Sequence, residues 1–376
     1  MYISSYDDLK SFVDRAQSAS IIGVDTEFLR ERTYYPQLCL IQIATPDEIV
    51  LIDPLSIKDL TPVVELFSNP SITKVFHACT QDIEVIYDAL HCIPAPLFDT
   101  QIAAAYLGER LQLGYGALVE AYCGVHLAKA ESLTDWSRRP LDEAQMSYAA
   151  DDVRYLIEIY HKMMDALIKL DRLKWVLPEF EAYTTLNFVE HDRREMFRRL
   201  KRVNTLSRRQ LAVAREICAW REQRASQRNV PRKWIISDEI VLELSKRMPK
   251  DIQALRRIRG TEQLSERDGD AVVHGIACAS ALSPAELPII ERKPHPSVDE
   301  EPVIDLMYAL TRIIAEREKV AVQLMATRDD LFAFMAKREQ SRLSSGWRYD
   351  LLGSQLEGLL DGKIGLTVKA GHIEEL

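Results

Sequence analysis

The stretch IIGVDTEFLR, residues 21–30, places two carboxylates directly after an apolar run that has the composition of a buried strand. Because side chains alternate between the two faces of a strand, Asp25 and Glu27 lie on one face, about 7 Å apart along the chain. Like charges at the end of a buried strand repel each other and lose hydration. The pair therefore calls for a compensating positive charge, although two acids at this spacing do not by themselves indicate a site.

Strand-like and helix-like patterns alternate around this stretch over about the first 180 residues. Residues 20–28, 38–44 and 48–54 predict three successive antiparallel strands, and residues 72–78 predict a fourth. The helical patterns are LTPVVELFS (60–68), TQDIEVIYDAL (80–90, with Thr80 as N-cap), PLFDTQIAAAYLG (96–108, extended at first and ending at Gly108) and one long helix from 139 to 167. The fold class predicted is therefore α/β, with a mixed sheet flanked by helices.

Beyond about residue 190 the strand signals fade and helical patterns take over. Residues 206–260 carry three helical segments closed by Pro or Gly, and a second helical block runs from 303 to 366. The segments CAWREQRA and IAEREKVA, with Arg-Glu pairs at 221–222 and 317–318, suggest a duplicated helical module. The expected domains are an α/β domain (1–190), a first helical domain (200–285), a proline-rich linker (286–301) and a second helical domain (302–376).

Charge is distributed unevenly along the chain. The net charge of −9 argues against nucleic-acid binding, but residues 191–260 contain 20 Lys and Arg against 8 Asp and Glu, a local charge of +12. The remaining residues carry 28 basic and 49 acidic side chains, or −21. A basic segment beside an acidic body is typical of a protein that holds a polyanion near an acidic site, although a solvated basic helix pair has the same composition.

The cysteines and the apolar runs exclude several protein classes. The six cysteines are dispersed without a CxxC pair, which favours reduced core thiols over a disulfide or zinc framework. The N-terminus lacks the pattern of a secretory signal, and no run approaches the ~18 apolar residues that span a bilayer. We therefore expect a cytoplasmic protein without membrane contact.

Further acidic residues lie on two predicted helices of the α/β domain. Asp82 lies in the first turn of the helix after the fourth strand, where ligands commonly bind, although an acid also favours a helix N-terminus without any ligand. In SYAADDV, Tyr148 and Asp152 are four residues apart and share a helix face. Tyr148 is either a satisfied core hydroxyl or a hydroxyl aimed at a metal-bound water, and Asp151 competes with Asp152 for the role of ligand.

Together, Asp25, Glu27, Asp82 and Asp152 form a carboxylate set with no His or Cys cluster. Such a set suits hard cations, Mg²⁺ or Mn²⁺, rather than zinc. Two such ions held by carboxylates are the arrangement for in-line displacement at a phosphodiester. The cations would also compensate the repulsion between the paired acids.

The motifs VDTEF, HACTQDIEVI and YAADDVRYL, with LTDWSRRPL before the third, resemble the ribonuclease D family of the DEDD exonuclease superfamily. The tyrosine four residues before the last Asp is similar to the tyrosine subclass, and the helical blocks resemble two HRDC domains. The resemblance implies a ribonuclease H-like fold and a metal-dependent 3′→5′ exoribonuclease. It also implies release of nucleoside 5′-monophosphates from RNA with a free 3′ end, including tRNA precursors and other small structured RNAs.

The same resemblance implies a role for each motif residue. Asp25, Glu27 and Asp152 would hold a first metal ion, which bears the attacking water. Asp25 and Asp82, the latter directly or through water, would hold a second, and Tyr148 would orient or help to deprotonate the water. The family pattern favours Asp152 over Asp151. Here position 79 is Cys, where the family commonly has Gly, and position 81 is Gln, where it commonly has an acid.

Several residues have both a substrate-binding and a structural interpretation. Phe28 and Leu29 could wedge against the terminal base or belong to the core, and Gln42 and His77 could touch the terminal nucleotide, although a structural role is favoured for both. Asp99 could orient groups around the acids. Among the residues of the basic segment, helical spacing favours core positions for Trp220 and Trp234 over base stacking, and the arginines from 193 to 259 would contact phosphates.

Two rival functions remain open at the level of sequence. A DNA-directed proofreading or repair exonuclease would use the same catalytic core, although no polymerase or helicase block follows and the helical pair favours RNA. A catalytically dead RNA-binding scaffold is disfavoured because all four carboxylates and the tyrosine are present. We expect a monomer, since three domains on one chain are sufficient for the activity.

Overall fold

The computed structural model describes residues 1–127, 134–190, 192–290 and 294–376. A six-stranded mixed sheet forms the centre of the first 190 residues. Its strands are β1 (Tyr2–Ile3), β2 (Ile21–Leu29), β3 (Gln37–Ala44), β4 (Ile49–Ile52), β5 (Thr73–Phe76) and β6 (Leu97–Asp99). The strand order is β1-β4-β3-β2-β5-β6. As the sequence predicts, β2, β3 and β4 pair antiparallel, whereas β5, β6 and the unpredicted β1 pair parallel to their neighbours.

Helices cover the sheet on both sides and exclude water from its apolar residues. They are α1 (Tyr6–Ala16), α2 (Thr61–Ser68), α3 (Thr80–Leu90), α4 (Thr100–Tyr106), α5 (Tyr115–Cys123), α6 (Glu143–Arg154), α7 (Leu156–Lys169), α8 (Leu173–Tyr183) and α9 (Leu186–Val189). One continuous hydrophobic core joins strand residues such as Ile22, Val24 and Ile41 to residues of these helices. The predicted α/β fold class is therefore confirmed.

Two local predictions in this domain are wrong. The single long helix expected over 139–167 is two helices, because Asp142 caps α6 and Tyr155 separates α6 from α7. Thr80 does not cap α3; it is the first helical residue after Cys79. The amide of Cys79 instead donates to the Asp99 carboxylate at 2.8 Å, so a residue from a neighbouring strand satisfies the start of the helix.

The first helical region begins with 3₁₀ turns at Arg193–Arg199 and Val203–Thr205. Its helices are α10 (Arg208–Arg228), α11 (Arg232–Ile235), α12 (Asp238–Arg247), α13 (Ile252–Arg256) and α14 (Glu266–Ala281). These elements have a hydrophobic core of their own. Trp220 packs against that core as predicted, but Trp234 does not fit the expected core position, since 55% of its surface is exposed.

The second helical region also has its own core. Its helices are α15 (Glu301–Glu318), α16 (Val322–Met325), α17 (Arg328–Ala336), α18 (Gly346–Arg348) and α19 (Ser354–Leu360), with 3₁₀ turns at Arg338–Gln340 and Arg342–Ser344 and a π-helical turn at Tyr349–Gly353. The chain then forms an antiparallel hairpin, β7 (Leu366–Lys369) with β8 (His372–Glu375). This hairpin departs from the all-α region that the sequence predicts. Part of the expected linker, residues 291–293, lies outside the described residues.

The two helical regions repeat one succession of elements. In each, a long helix ends in a left-handed residue, Asn229 or Lys319, and a four-residue helix and a capped helix follow. The side chains of Ser237 and Thr327 cap the third helix of each set. The starts of α11 and α16 (232 and 322) and of α12 and α17 (238 and 328) both differ by 90 residues.

This spacing corrects the alignment that the sequence suggested. The Arg-Glu pairs at 221–222 and 317–318 are 96 residues apart, so they do not occupy equivalent positions in the two regions.

Among the described helices, none combines the length and the apolar character that crossing a bilayer requires.

Candidate active site

The free edge of β2 creates the space for the acidic residues. Strand β5 pairs with β2 only over Ile21–Gly23, so beyond Gly23 that edge has no strand beside it. On its other side β2 continues against β3, with Asp25 opposite Gln42 and Glu27 opposite Leu40. The register shifts between Glu27 and Phe28, which ends the regular ladder immediately after the second acid.

Helix α6 brings Asp152 to Asp25 and Glu27. Each of these three carboxylates offers an oxygen, and the three oxygens lie within 4.8 Å of one another. Asp151, the competing candidate, instead accepts a hydrogen bond from Nε of Arg154 at 2.7 Å. The structure therefore brings Asp152 rather than Asp151 into the acidic group.

Gly23 permits the close approach of the helices to β2. A Cβ atom at this position would lie 3.0 Å from Cβ of Leu156 and 3.2 Å from the carbonyl oxygen of Val153. Both contacts are with the junction between α6 and α7. A side chain at residue 23 would thus push Asp152 away from the strand that carries its partners.

Asp82 reaches the group from α3 through a hydrogen bond to the strand. Oγ1 of Thr26 donates to Oδ1 of Asp82 at 2.5 Å, and Asp82 is only 7% exposed. The charge of Asp82 contributes to the raised pKa of Asp25, which places the two carboxylates in electrostatic contact. All four acids predicted from the sequence therefore lie in one interacting set, in which Asp82 is buried and the other three are partly buried.

The pKa values of these acids are all raised. Burial, followed by the charges of Asp82, Asp152 and Glu27, raises the pKa of Asp25 well above its usual value. Burial is also the first cause of the raised pKa of Glu27, to about 8. For Asp82 and Asp152 burial raises the pKa to about 7 in each case. A cation bound among the four carboxylates would favour their charged forms, because it offsets the burial and the mutual repulsion that raise these pKa values.

Tyr148 lies beside the acids and is held by packing. Its ring centroid is 6.1 Å from that of Trp136, and both belong to a small cluster with Leu29. Burial and then the charge of Asp152 raise the pKa of the Tyr148 hydroxyl above its usual value. The hydroxyl is therefore protonated near neutral pH and is available as a hydrogen-bond donor.

Asp99 shapes the start of α3 from the neighbouring strand. Its carboxylate accepts hydrogen bonds from the amides of Ala78 at 3.2 Å and Cys79 at 2.8 Å. It also accepts from the amides of Gln101 and Ile102 at the start of α4. Through the turn at residues 78–79 it holds the helix that carries Asp82.

Gln42, which pairs with Asp25 across β2 and β3, and His77, which follows β5, carry unsatisfied polar atoms. Gln42 is fully buried, and neither polar atom of its amide has a partner within the described part of the chain. Nδ1 of His77 lies 3.0 Å from Oγ1 of Thr100, while its Nε2 has no partner among the described residues. Burial is the first cause of the lowered pKa of His77.

Phe28 packs partly against the core of the domain, and the guanidinium of Arg30 lies 5.7 Å from the centre of its ring. Leu29 packs in the cluster of Tyr148 and Trp136. Both residues are only partly buried. The structure therefore supports a packing role for each and leaves contact with a nucleotide as a prediction.

Two residues near the site have structural roles that no sequence motif indicated. Arg139 donates to both carboxylate oxygens of the buried Asp53, at 2.6 and 2.8 Å, and to the carbonyl oxygen of Cys39 at 2.7 Å. It thereby anchors the segment that leads into α6. The hydroxyl of Tyr115 donates to the carbonyl oxygen of Asp151 at 3.2 Å and accepts from the amide of Tyr155 at 3.3 Å.

Comparison with known proteins agrees with this geometry. The 3′–5′ exonuclease family matches residues 1–168, and the HRDC domain family matches residues 210–273. Ribonuclease D of Granulibacter bethesdensis is 38% identical over 99% of this chain and 95% of its own length. Ribonuclease D of Gluconacetobacter diazotrophicus is 36% identical over 100% and 96%. The chain belongs to the ribonuclease D family.

A solved structure of this family has the same fold. Escherichia coli RNase D, described as an exoribonuclease involved in structured RNA processing, superposes with a TM-score of 0.80 at 31% identity. The match covers 96% of this chain and 98% of the other. The resemblance drawn from the motifs is thus confirmed, and the protein is a hydrolytic, metal-dependent 3′–5′ exoribonuclease of this family.

Proposed function

We propose that the protein trims the 3′ ends of tRNA precursors and other small structured RNAs and releases nucleoside 5′-monophosphates. The observation that carries the proposal is the convergence of Asp25, Glu27 and Asp152, whose oxygens lie within 4.8 Å of one another. Asp82 joins them through Thr26. The full-length similarity to ribonuclease D proteins supports RNA as the substrate.

The donor set fits divalent cations that prefer oxygen ligands. Oxygens bound to one Mg²⁺ at about 2.1 Å are about 3–4 Å apart, so carboxylates already within 4.8 Å need only small movements. We propose that Asp25, Glu27 and Asp152 hold one Mg²⁺ or Mn²⁺ ion and that Asp25 and Asp82 hold a second. When bound, the two ions would supply an activated water and neutralise charge at the phosphodiester.

The protein's own residues would position the reacting groups. Tyr148 would donate its hydroxyl hydrogen bond to orient the attacking water, since its raised pKa disfavours the role of a base. Asp99 would maintain the position of Asp82 through the turn at residues 78–79. Phe28, Leu29, Gln42 and His77 remain proposed contacts of the terminal nucleotide; of these, Gln42 and His77 carry polar atoms without a partner in the described structure.

Three separate hydrophobic cores support the proposed domains at 1–190, 200–285 and 302–376. We propose that the last is a second HRDC-like domain, on the basis of the repeated succession of elements.

All four carboxylates come from one chain, so a monomer would be sufficient. The six free cysteines are consistent with a cytoplasmic location.

The experiment that tests the proposal offers 5′-labelled RNA and DNA of one sequence to the purified protein with Mg²⁺, Mn²⁺ or EDTA. We expect single-nucleotide ladders on RNA with either metal and no products in EDTA. Endonucleolytic fragments, or products in EDTA, would contradict the mechanism. A ladder of equal rate on DNA would favour the DNA-directed exonuclease instead.

Variants of two adjacent acids provide a matched comparison. Asp152→Asn removes a proposed ligand, whereas Asp151→Asn removes the neighbouring carboxylate that pairs with Arg154. We expect the first to reduce hydrolysis at least about 10³-fold with RNA binding largely retained, as we also expect for Asp25→Asn. The second should stay within about threefold of the wild type. Equal activity of all three variants would overturn the site assignment.

A further inference from the structure

The break between α6 and α7 follows Asp152 closely in the chain. Helix α6 ends at Arg154 and α7 begins at Leu156, although residues 143–169 contain neither proline nor glycine. Sharp breaks in a helix arise at such residues or where another group enters the ladder of backbone hydrogen bonds. The segment itself has no proline or glycine to interrupt it, so the break comes from a group packed against it.

The hydroxyl of Tyr115 occupies the break. In a continuous helix the amide of Tyr155 would donate to the carbonyl oxygen of Asp151, four residues earlier. Here the Tyr115 hydroxyl accepts from that amide at 3.3 Å and donates to that carbonyl oxygen at 3.2 Å. The same amide also points to the carbonyl oxygen of Val153. A side chain from another helix therefore stands between the donor and the acceptor of one helical hydrogen bond.

Packing fixes the ring that carries this hydroxyl. Tyr115 is the first residue of α5, and the buried Leu118 and Val119 hold that helix on the core of the exonuclease domain. The ring of Tyr115 packs partly against the same core, with its centroid 5.5 Å from that of His77 at the end of β5. The hydroxyl thus reaches the α6–α7 junction from a rigid support.

The hydrogen bond to Asp151 acts directly on the backbone of Asp152. The carbonyl group of Asp151 and the amide of Asp152 belong to one planar peptide unit. Fixing that carbonyl group therefore fixes the plane from which the Asp152 side chain leaves the helix. On the opposite side, Gly23 of β2 lies against the same junction, since a Cβ atom there would be 3.0 Å from Cβ of Leu156.

Electrostatics also places the Tyr115 hydroxyl beside the acids. Burial is the first cause of the raised pKa of Tyr115, and the charges of Asp152 and Asp25 add to it. The hydroxyl therefore keeps its proton at neutral pH and can donate it to the carbonyl oxygen of Asp151. It lies next to the carboxylates, but its hydrogen bonds go to the backbone that carries one of them.

We propose that Tyr115 is a positioning residue, whose hydroxyl splits the helix between α6 and α7 and so holds the Asp152 carboxylate towards Asp25 and Glu27. Without the hydroxyl, the amide of Tyr155 pairs with the carbonyl oxygen of Asp151, the helix continues through the junction and Asp152 turns away from its partners. This inference rests on the proposed function, since Asp152 is a proposed metal ligand.

Binding of Mn²⁺ tests the proposal without any substrate. The full-length protein, freed of metal with EDTA and dialysed, is titrated with Mn²⁺ while electron paramagnetic resonance measures the free ion. Tyr115→Phe removes only the hydroxyl and should raise the Kd for Mn²⁺ about tenfold, as is typical when a metal ligand loses a hydrogen-bonding support. Saturating Mn²⁺ should then restore most of the wild-type rate of hydrolysis, because the ligands themselves are intact.

Tyr122→Phe is the matched control, because Tyr122 lies on the same helix and packs partly against the same core. Its position is about 10 Å further along α5, away from the junction, so its Kd for Mn²⁺ should match the wild type. Equal Kd values for the wild type and Tyr115→Phe would refute the positioning role. So would a rate of Tyr115→Phe that stays low at saturating Mn²⁺.

A double-mutant cycle tests whether Tyr115 acts through Asp152. In an Asp152→Asn background, Tyr115→Phe should change the Kd for Mn²⁺ by less than about twofold, because the carboxylate that it positions is gone. A tenfold loss in both backgrounds would show a general effect on the fold and overturn the proposal. If the wild type binds no Mn²⁺ and gives no RNA ladders, the proposed function fails and this inference fails with it. Ladders with an unaltered Tyr115→Phe protein overturn this inference alone.

Discussion

Replacing Asp152 with Asn should stabilise the metal-free protein while it inactivates the enzyme. Asp152 is partly buried among other carboxylates, and its pKa is raised from 3.8 to about 7. A carboxyl group with a raised pKa in the folded state destabilises the fold once it ionises. The penalty is absent below pH 3.8, grows as the pH rises towards 7 and is complete above it.

The size of the effect follows from that shift. A rise of about three pH units at 1.36 kcal/mol per unit corresponds to about 4 kcal/mol at most. Since the side chain is only partly buried, water screens its charge, and we expect about half of this value at pH 8. For a domain of this size, about 2 kcal/mol raises the melting temperature by about 4–8 °C.

The assay is calorimetric or fluorescence melting of the wild type, Asp152→Asn and Asp151→Asn at pH 5.5 and pH 8, in EDTA and in MgCl₂. In EDTA at pH 8, Asp152→Asn should melt above the wild type, and the difference should shrink at pH 5.5. Mg²⁺ should raise the melting temperature of the wild type and of Asp151→Asn but scarcely that of Asp152→Asn. A metal-free Asp152→Asn protein that melts at or below the wild type at pH 8 would refute the repulsion argument.

Three further predictions concern the frame of the site. Arg139→Ala leaves the fully buried Asp53 carboxylate without its cation, so chemical denaturation should show a loss of about 3–5 kcal/mol. Gly23→Ala places a methyl group 3.0 Å from Cβ of Leu156, and we expect the free energy of unfolding to fall by about 1–3 kcal/mol. The displaced Asp152 should also weaken the activation of hydrolysis by Mg²⁺ in a titration of rates. Wild-type stability and wild-type Mg²⁺ activation would contradict the close approach. Tyr148→Phe should lower kcat about 10²-fold or more. Mg²⁺ should still raise the melting temperature of this variant as much as that of the wild type, because the carboxylates are unchanged. An unchanged kcat would exclude a role for the hydroxyl in orienting water.

The sequence predicts the strands and the acidic group well, because both depend on local periodicity. Alternation along β2 places Asp25 and Glu27 on one face, and four-residue spacing does the same for Tyr148 and Asp152 on α6. One wrong prediction concerns a place where a distant residue replaces a local signal. Asp99, from a neighbouring strand, satisfies the helix start that Thr80 was expected to cap.

The helical regions show the same limit. Helical spacing alone does not show which short helix packs on another domain. Trp234 was therefore expected in the core, although it is exposed. Leu324, at the equivalent position of the second region, packs against the exonuclease core. The sequence indicated a duplication, but its 90-residue spacing follows from the equivalent helix ends at Asn229 and Lys319, which the structure reveals.

By itself, then, the amino-acid sequence determined the α/β class, the acidic motifs, their family and the basic segment, because these are properties of residue types and short-range spacing. Tertiary structure decided that β5 ends before Asp25, that Gly23 admits the α6–α7 junction, and that Thr26 holds Asp82. It also decided that α11 faces a cleft rather than a protein surface. These outcomes depend on the packing of segments far apart in the chain, and no local pattern encodes the distance between them.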